Sequence, residues 1–113
     1  PFNVNMLAQA AALKALALAD RLEERRARNR DGRRQLYAGL DGLGIAYAPT
    51  QSNFMLVDVS GLKVSADDVP EELMKRGVIV RPGGPLSCPG YIRVSVGTAE
   101  ENDFFMEKLA ELK

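Results

Sequence analysis

Hydrophobic and polar residues alternate near the end of the chain, where the pattern predicts a β-strand with one buried face. In Tyr91–Val96, apolar residues occupy every second position from Ile92, and Arg93 falls between them. Three other runs of apolar and β-branched residues predict further strands: Ile45–Ala48, Phe54–Val59 and Val78–Arg81.

An alanine-rich pattern with apolar residues three and four positions apart predicts the first helix, over Asn5–Leu18. Asn3 or Asn5 is placed to cap it. Small side chains let another backbone approach closely. We therefore expect this helix to pack tightly, either within this domain or against a second domain.

The second helix is predicted over Arg21–Leu43, with Asp20 as its candidate cap and Gly32 as a weak point in its middle. Its first fourteen residues carry seven arginines and three acids. The acids are interspersed, and only Tyr37 offers a nearby aromatic ring for stacking on bases. The pattern therefore favours a solvated face of paired charges over a nucleic-acid surface.

Capping signals predict the two remaining helices. Residues Ser65–Asp68 have the spacing of a capping box, with Asp in place of Glu, before a helix that ends at Gly77. Pro70 fits only a first turn, which places the start of that helix near Asp67. The segment Thr98–Glu101 reads T-A-E-E and predicts a capping box at the start of the last helix.

The predicted order of elements is helix, helix, strand, strand, helix, strand, strand, helix. No internal repeat, low-complexity segment or linker interrupts it. The sequence therefore predicts a single α+β domain over residues 1–113. Three or four strands should form a small, mainly antiparallel sheet with helices packed on one face.

Composition excludes several classes of function. Lysine plus arginine and aspartate plus glutamate each total 15, so no net field attracts nucleic acid or an anionic membrane. No secretory signal or membrane-spanning stretch is evident. The absence of histidine removes the commonest general base and most zinc sites. The acids of Asp67–Glu72 are typical of a helix start, so no metal site is predicted.

Arg81 and Arg93 are the strongest candidates for a binding function. Each lies in a predicted strand among apolar residues, and arginine keeps its charge in proteins. If the two strands are neighbours, both guanidinium groups reach one region, where they match a carboxylate or phosphate. The alternative is a pair of surface arginines bonded to local acids or carbonyl groups.

Three other motifs are weaker candidates for a binding or catalytic site. The loop Gly83–Gly90 lacks the spacing of a phosphate-binding loop, and its prolines remove backbone donors, so it is interpreted as a shaped turn. Ser60 and Lys63 match S-x-x-K but follow a strand instead of opening a helix. Cys88 has no histidine to activate it and no internal disulfide partner, which is typical of a reducing compartment such as the cytoplasm.

Four motifs occur in a characteristic order: P-F-N-V-N-M-L-A-Q-A-A-A, S-N-F-M-L-V, G-V-I-V-R-P and Y-I-R-V-S-V-G-T-A-E-E-N-D. Over essentially its whole length, the chain resembles the C-terminal small domain of the histidinol-phosphate aminotransferase-like, fold-type I pyridoxal-phosphate aminotransferases. The resemblance implies a transamination in amino-acid biosynthesis, carried out by a cytoplasmic homodimer when the protein is full length.

The resemblance also implies roles for three residues. Arg93 matches the family arginine that binds the anionic end of a small amino or oxo substrate, either its carboxylate or its phosphate. Arg81 matches a second arginine of that pocket. Asn53 matches an asparagine near the site, with a structural role as open as a contact with substrate. The segment Pro1–Asn5 matches the chain that returns from the large domain.

Several features of the family are missing from this chain. The Schiff-base lysine, the aspartate that pairs with the pyridine nitrogen, the stacking aromatic and most phosphate ligands belong to the family's large domain. Lys63 does not match the lysine in context. No catalytic or cofactor-binding residue is therefore predicted here, and the chain alone should be inactive. The loop Gly83–Gly90 does not match the usual specificity loop, so the substrate stays open.

Two alternatives remain at this point. One is a domain of a related enzyme such as a threonine-phosphate decarboxylase. The other is a stand-alone anion-binding regulatory module. The chain begins with Pro1 and opens directly into ordered-looking sequence, so we expect it to be part of a longer protein. An upstream coding region with a cofactor lysine would favour the enzyme.

Overall fold

The structure is a computed structural model that describes residues 3–113; the predicted extended start at Pro1 and Phe2 lies outside this range. The four helices are α1 (Met6–Leu16), α2 (Leu22–Leu43), α3 (Val69–Lys75) and α4 (Ala99–Ala110). The four strands are β1 (Tyr47–Ala48), β2 (Phe54–Asp58), β3 (Arg81–Pro82) and β4 (Tyr91–Ser95). Single turns of 3₁₀-helix lie at Ala19–Arg21 and Gly84–Leu86. The predicted order of elements is confirmed.

The strands form one antiparallel sheet in the order β1-β2-β4-β3. In its centre, Met55 lies opposite Val94, and Val57 lies opposite Ile92. All four side chains are buried and face the helices. They form a single core with apolar residues of α2, α3 and α4, including Leu36, Leu40, Leu73, Phe105 and Leu109. The predicted α+β class is therefore confirmed.

The third strand is shorter than predicted. Val78–Arg81 was expected, but β3 contains only Arg81 and Pro82. Gly77 has a φ of +85°, and the Val78 amide bonds to the Leu73 carbonyl, so this backbone completes the end of α3. Val78 is half-buried beside the core despite lying outside the strand.

Two of the predicted caps are wrong. Asp20 lies in the 3₁₀ turn before α2, and Arg21 occupies the N-cap position without a side-chain bond. Asp68 is the N-cap of α3, again without a side-chain bond, so no capping box forms with Ser65. Pro70 lies in the first turn, as predicted, although α3 begins at Val69.

The other two caps are confirmed. The Asn5 carboxamide accepts a hydrogen bond from the Ala8 amide at 2.9 Å and starts α1. At α4, the Glu101 amide donates to the Thr98 hydroxyl, and the Thr98 amide donates to the Glu101 carboxylate at 2.8 Å. This capping box fixes the direction in which the chain leaves β4.

Helix α1 is exposed along its whole length. None of its residues is buried, and Met6, Leu7, Leu13 and Leu16 are each 70–83% exposed. The alternative in which this helix packs tightly within the domain is therefore wrong for residues 3–113. Docking on a second domain stays a prediction. No helix of the described residues is long and apolar enough to cross a membrane.

Candidate anion-binding site

The two candidate arginines lie directly opposite each other on neighbouring strands. Arg81 of β3 and Arg93 of β4 are register partners. Ile92 and Val94, on either side of Arg93, are buried against the helices. Because successive side chains of a strand point to opposite faces, Arg93 lies on the face away from the core, and its partner shares that face.

An open depression of about 460 Å³ lies over these two residues. We call it the arginine groove; besides Arg81 and Arg93, it is lined by Ile79, Val80, Pro82, Pro85 and Ser95. Ile79 is almost fully exposed, so one wall of the groove is apolar. The groove thus offers two charged groups beside a small hydrophobic surface.

Neither arginine is neutralised by another side chain within residues 3–113. Among the described residues, Arg81 and Arg93 take part in no ion pair and no side-chain hydrogen bond. Like charges that face each other across two strands destabilise the sheet. The predicted alternative, in which local acids or carbonyls bind them, has no support in residues 3–113. The arrangement is suited to an anion that bridges both groups.

A tightly turned loop holds the two strands in this register. The Gly83 amide donates to the Tyr91 carbonyl at 2.8 Å, and the Cys88 amide donates to the Gly83 carbonyl at 3.0 Å. A Cβ atom at Gly83 would lie 2.2 Å from the Cys88 carbonyl oxygen, so only glycine fits. The interpretation of Gly83–Gly90 as a shaped turn agrees with this geometry, and Pro85 of that turn borders the groove.

Asn53 does not line the arginine groove. It immediately precedes β2, and its carbonyl accepts a hydrogen bond from the Val96 amide at 2.8 Å. Its side chain is exposed and accepts a bond from the Ser52 hydroxyl at 3.4 Å. The structure brings Arg81 and Arg93 together, whereas the position of Asn53 favours the structural role that was left open.

Sequence reasoning missed Arg33. It lies within the arginine-rich segment Arg21–Arg34, yet only 8% of it is exposed. Its guanidinium donates to the carbonyls of Gln51 and Ser52 at 3.3 and 3.0 Å and so anchors the segment that leads into β2. The signal was its spacing: three positions before Leu36, it lies on the buried face of α2.

A network of acids and bases with shifted pKa values lies elsewhere, where the ends of α3 and α4 meet. Hydrogen bonds from Lys75 and then Arg76 lower the pKa of Glu72, and a bond from Lys108 lowers that of Glu111. Arg76 joins Glu72 and Glu111 with bonds of 2.8 and 3.1 Å. This is a half-buried charge network between the ends of two helices, and none of these residues lines the arginine groove.

The other sequence motifs, S-x-x-K and the cysteine, do not form a second candidate catalytic site. The Ser60 hydroxyl donates to Asp58 at 2.6 Å in the turn after β2, so Ser60 and Lys63 are not arranged on a helix. Cys88 is a half-buried free thiol. Within residues 3–113, no group of three or more acids, cysteines or histidines is placed to hold a metal ion.

Taken together, the fold and the groove define a small α+β domain whose open sheet face presents paired guanidinium groups. The family model for aminotransferase class I and II matches residues 1–109. This chain belongs to that family.

Individual relatives support the assignment. Histidinol-phosphate aminotransferase of Bacillus licheniformis is 44% identical over 110 residues, which cover 97% of this chain and 30% of that protein. An aspartate aminotransferase tetra mutant of Thermus thermophilus has a TM-score of 0.79 at 31% identity, over 94% of this chain and 31% of its own. Histidinol-phosphate aminotransferase of Clostridium acetobutylicum has a TM-score of 0.81 at 21% identity, covering 98% and 34%, and shares the fold. The chain spans about 30% of the length of the curated relatives it matches.

Proposed function

We propose that this chain is the substrate-binding small domain of a cytoplasmic pyridoxal-phosphate aminotransferase, most like histidinol-phosphate aminotransferase. Arg81 and Arg93 bind the carboxylate or phosphate of the substrate. The observation that carries the proposal is the pair of opposed guanidinium groups, which lack ionic partners among residues 3–113 and line one groove. The relatives are histidinol-phosphate aminotransferases, and they suggest the class of reaction.

The chemistry of the two side chains suits this task. A guanidinium group presents a planar fork of donors that binds two oxygens of a carboxylate or phosphate at once. Binding an anion removes the repulsion between Arg81 and Arg93, and this relief adds to the favourable free energy of anion binding. The exposed Ile79 beside them offers contact to an apolar part of the substrate.

The residues of this chain do not fit the cofactor. Pyridoxal phosphate requires a lysine for its Schiff base. Among residues 3–113, no lysine lines the arginine groove; Lys75 and Lys108 are paired with glutamates, and Lys63 follows β2. No catalytic step is therefore assigned to this chain, and we place the cofactor in a large domain of the full-length protein.

The same reasoning defines the partners. The exposed apolar face of α1 is the surface we assign to contact with that large domain. Closure of the small domain over bound substrate would exclude water and complete the site. The full-length protein is proposed to be a homodimer that transfers an amino group between small molecules.

The test is steady-state kinetics of the full-length enzyme with histidinol phosphate as amino donor and an oxo acid as acceptor. Arg93→Ala is expected to raise KM by about 10- to 100-fold, since a hydrogen bond to a charged group contributes about 1.5–3 kcal/mol. Arg93→Lys should be intermediate because lysine lacks the fork. Arg34→Ala, an exposed arginine of α2, is the matched control.

Two results would contradict the proposal. Unchanged KM in both Arg81→Ala and Arg93→Ala would remove the anion site. Transamination by the 113-residue chain alone, given cofactor and retained in Lys63→Ala, would show that the chemistry does not need a large domain.

A further inference from the structure

We propose that Phe54 is a positioning residue that holds the guanidinium group of Arg93 in the orientation that receives the anion. The Cζ atom of Arg93 lies 5.1 Å from the centre of the Phe54 ring. At this distance a guanidinium over an aromatic face gains a cation–π interaction. This inference rests on the anion-binding role proposed for Arg93, and it gives Phe54 a role in the same site.

The sheet register produces the contact. Phe54 lies opposite Ser95, and the next residue on its face, Leu56, lies opposite Arg93. Phe54 and Arg93 are therefore diagonal neighbours on the open face, a spacing that aromatic and long side chains can bridge. The hydrogen bond from the Val96 amide to the Asn53 carbonyl, 2.8 Å long, fixes the start of β2 and so the position of the ring.

An aromatic ring is the partner that leaves Arg93 ready for a ligand. A carboxylate in the same place would take up N–H donors and cancel the positive charge. The ring orients the guanidinium by its face and leaves the donors and the charge free. Since Arg93 forms no side-chain hydrogen bond within residues 3–113, Phe54 is its orienting contact there.

Arg81 differs in this respect. It is exposed, lies in a strand of two residues, and has no aromatic neighbour in cation–π geometry in the described part of the chain. Arg93 is half-buried, and the ring limits its motion. The pair thus combines one oriented guanidinium with one that adjusts to the bound anion.

Phe54 contributes little to the core. It is 40% exposed and lies outside the buried apolar cluster. A leucine at this position keeps an apolar side chain in β2 and removes only the ring face. Phe54→Leu is therefore expected to fold, and its effect is expected on the affinity for the anion.

The experiment compares Phe54→Leu, Phe54→Tyr and the wild type in the full-length enzyme. Phe54→Leu should raise KM for the anionic substrate, and Ki for inorganic phosphate, by about two- to fivefold with kcat unchanged. Phe54→Tyr, which keeps the ring, should match the wild type. Combined with Arg93→Lys, Phe54→Leu should add less than its separate effect.

Phe104→Leu is the matched control. Phe104 is 42% exposed, has Lys108 5.5 Å from its ring centre and does not line the arginine groove, so the variant loses a similar contact without touching either arginine. It should leave KM and Ki unchanged. A second readout is the NMR signal of the Arg93 side-chain N–H, which the ring should shift upfield and which should move toward its usual position in Phe54→Leu.

The outcomes separate the two proposals. If Arg93→Ala weakens binding while Phe54→Leu has wild-type KM, Ki and Arg93 signal, the positioning role is overturned and the anion site stands. If Arg93→Ala itself has no effect, the proposed function fails. If Phe54→Leu does not fold, the NMR signal of the Arg93 side-chain N–H in the wild type and in Phe54→Tyr decides. An upfield shift supports the positioning role, and an unshifted signal overturns it.

Discussion

Gly32 of α2 lies so close to Val96 that a Cβ atom at this glycine would stand 2.5 Å from the Val96 Cγ1 atom. The glycine expected to weaken the helix is thus the point where α2 approaches the end of β4. Gly32→Ala should destabilise the domain by about 1 kcal/mol or more, because overpacking by a methyl group outweighs the gain in helix propensity.

Gly42 provides the matched control in the same helix. A Cβ atom there meets nothing within 4 Å, so Gly42→Ala should stabilise the domain by about 0.5–1 kcal/mol. Urea unfolding of both variants measures the difference. If Gly32→Ala stabilised the domain instead, the Val96 side chain would have to move aside without a measurable loss of stability.

Arg33 should be important for stability although its neighbours in the arginine run are not. Arg33→Met keeps an unbranched side chain but removes the bonds to the Gln51 and Ser52 carbonyls. We expect a loss of about 1–3 kcal/mol, as for other buried groups left without partners. Arg34→Met, at an exposed position, should change the free energy of unfolding by less than about 0.5 kcal/mol. Equal effects of the two variants would contradict this role.

Stability should fall in acid through the contact between α3 and α4. Bonds to Lys75, Arg76 and Lys108 lower the folded-state pKa values of Glu72 and Glu111 below the ordinary 4.5. A lowered pKa means that the unfolded state binds protons first. The contribution is therefore complete above that ordinary value and is lost as the pH falls through the folded-state values.

Thermal unfolding from about pH 3 to about pH 7 tests this. Glu72→Gln should flatten the acid limb of the profile relative to the wild type, and added salt should weaken the effect because the groups are still partly exposed to solvent. Glu23→Gln is the control, since Glu23 approaches Arg26 only to 3.8 Å. Profiles for Glu72→Gln and the wild type that stay parallel would exclude Glu72 as a source of the acid sensitivity.

The isolated 113-residue chain should self-associate through α1. Leu7 and Leu13 are 83% and 70% exposed, and apolar surface of this kind favours a partner. Sedimentation velocity should show a weight-average mass that rises with concentration, and the double variant Leu7→Gln, Leu13→Gln should reduce it. A monomer at every concentration, with a cooperative high-temperature melt, would count against the assignment of α1 to an interdomain contact.

The architecture could be read from local patterns. Alternation in Tyr91–Val96 and the capping box at Thr98 depend on residues close in sequence, and both are confirmed. The span of the third strand could not be read in this way. Val78–Val80 has the composition of a strand, but the left-handed Gly77 and the bond from Val78 to Leu73 keep it out of the sheet.

The candidate site could be predicted only in part. Two arginines in strand-like runs suggested an anion, and the sheet order makes them neighbours. The contact between Phe54 and Arg93 depends on the register of β2 against β4, which local patterns do not give. Arg33 lies in an arginine-rich segment, so its charge suggested no buried role, although its spacing from Leu36 places it on the core face.

The shortness of β3 also affects how the protein meets other chains. β1 and β3 border the sheet, each is only two residues long, and Pro82 of β3 has no amide hydrogen to offer. A sheet grows by adding strands along an exposed border of backbone donors and acceptors, and these borders offer few. The addition of further strands is therefore disfavoured at both borders of the sheet, whereas the apolar face of α1 stays open to other chains.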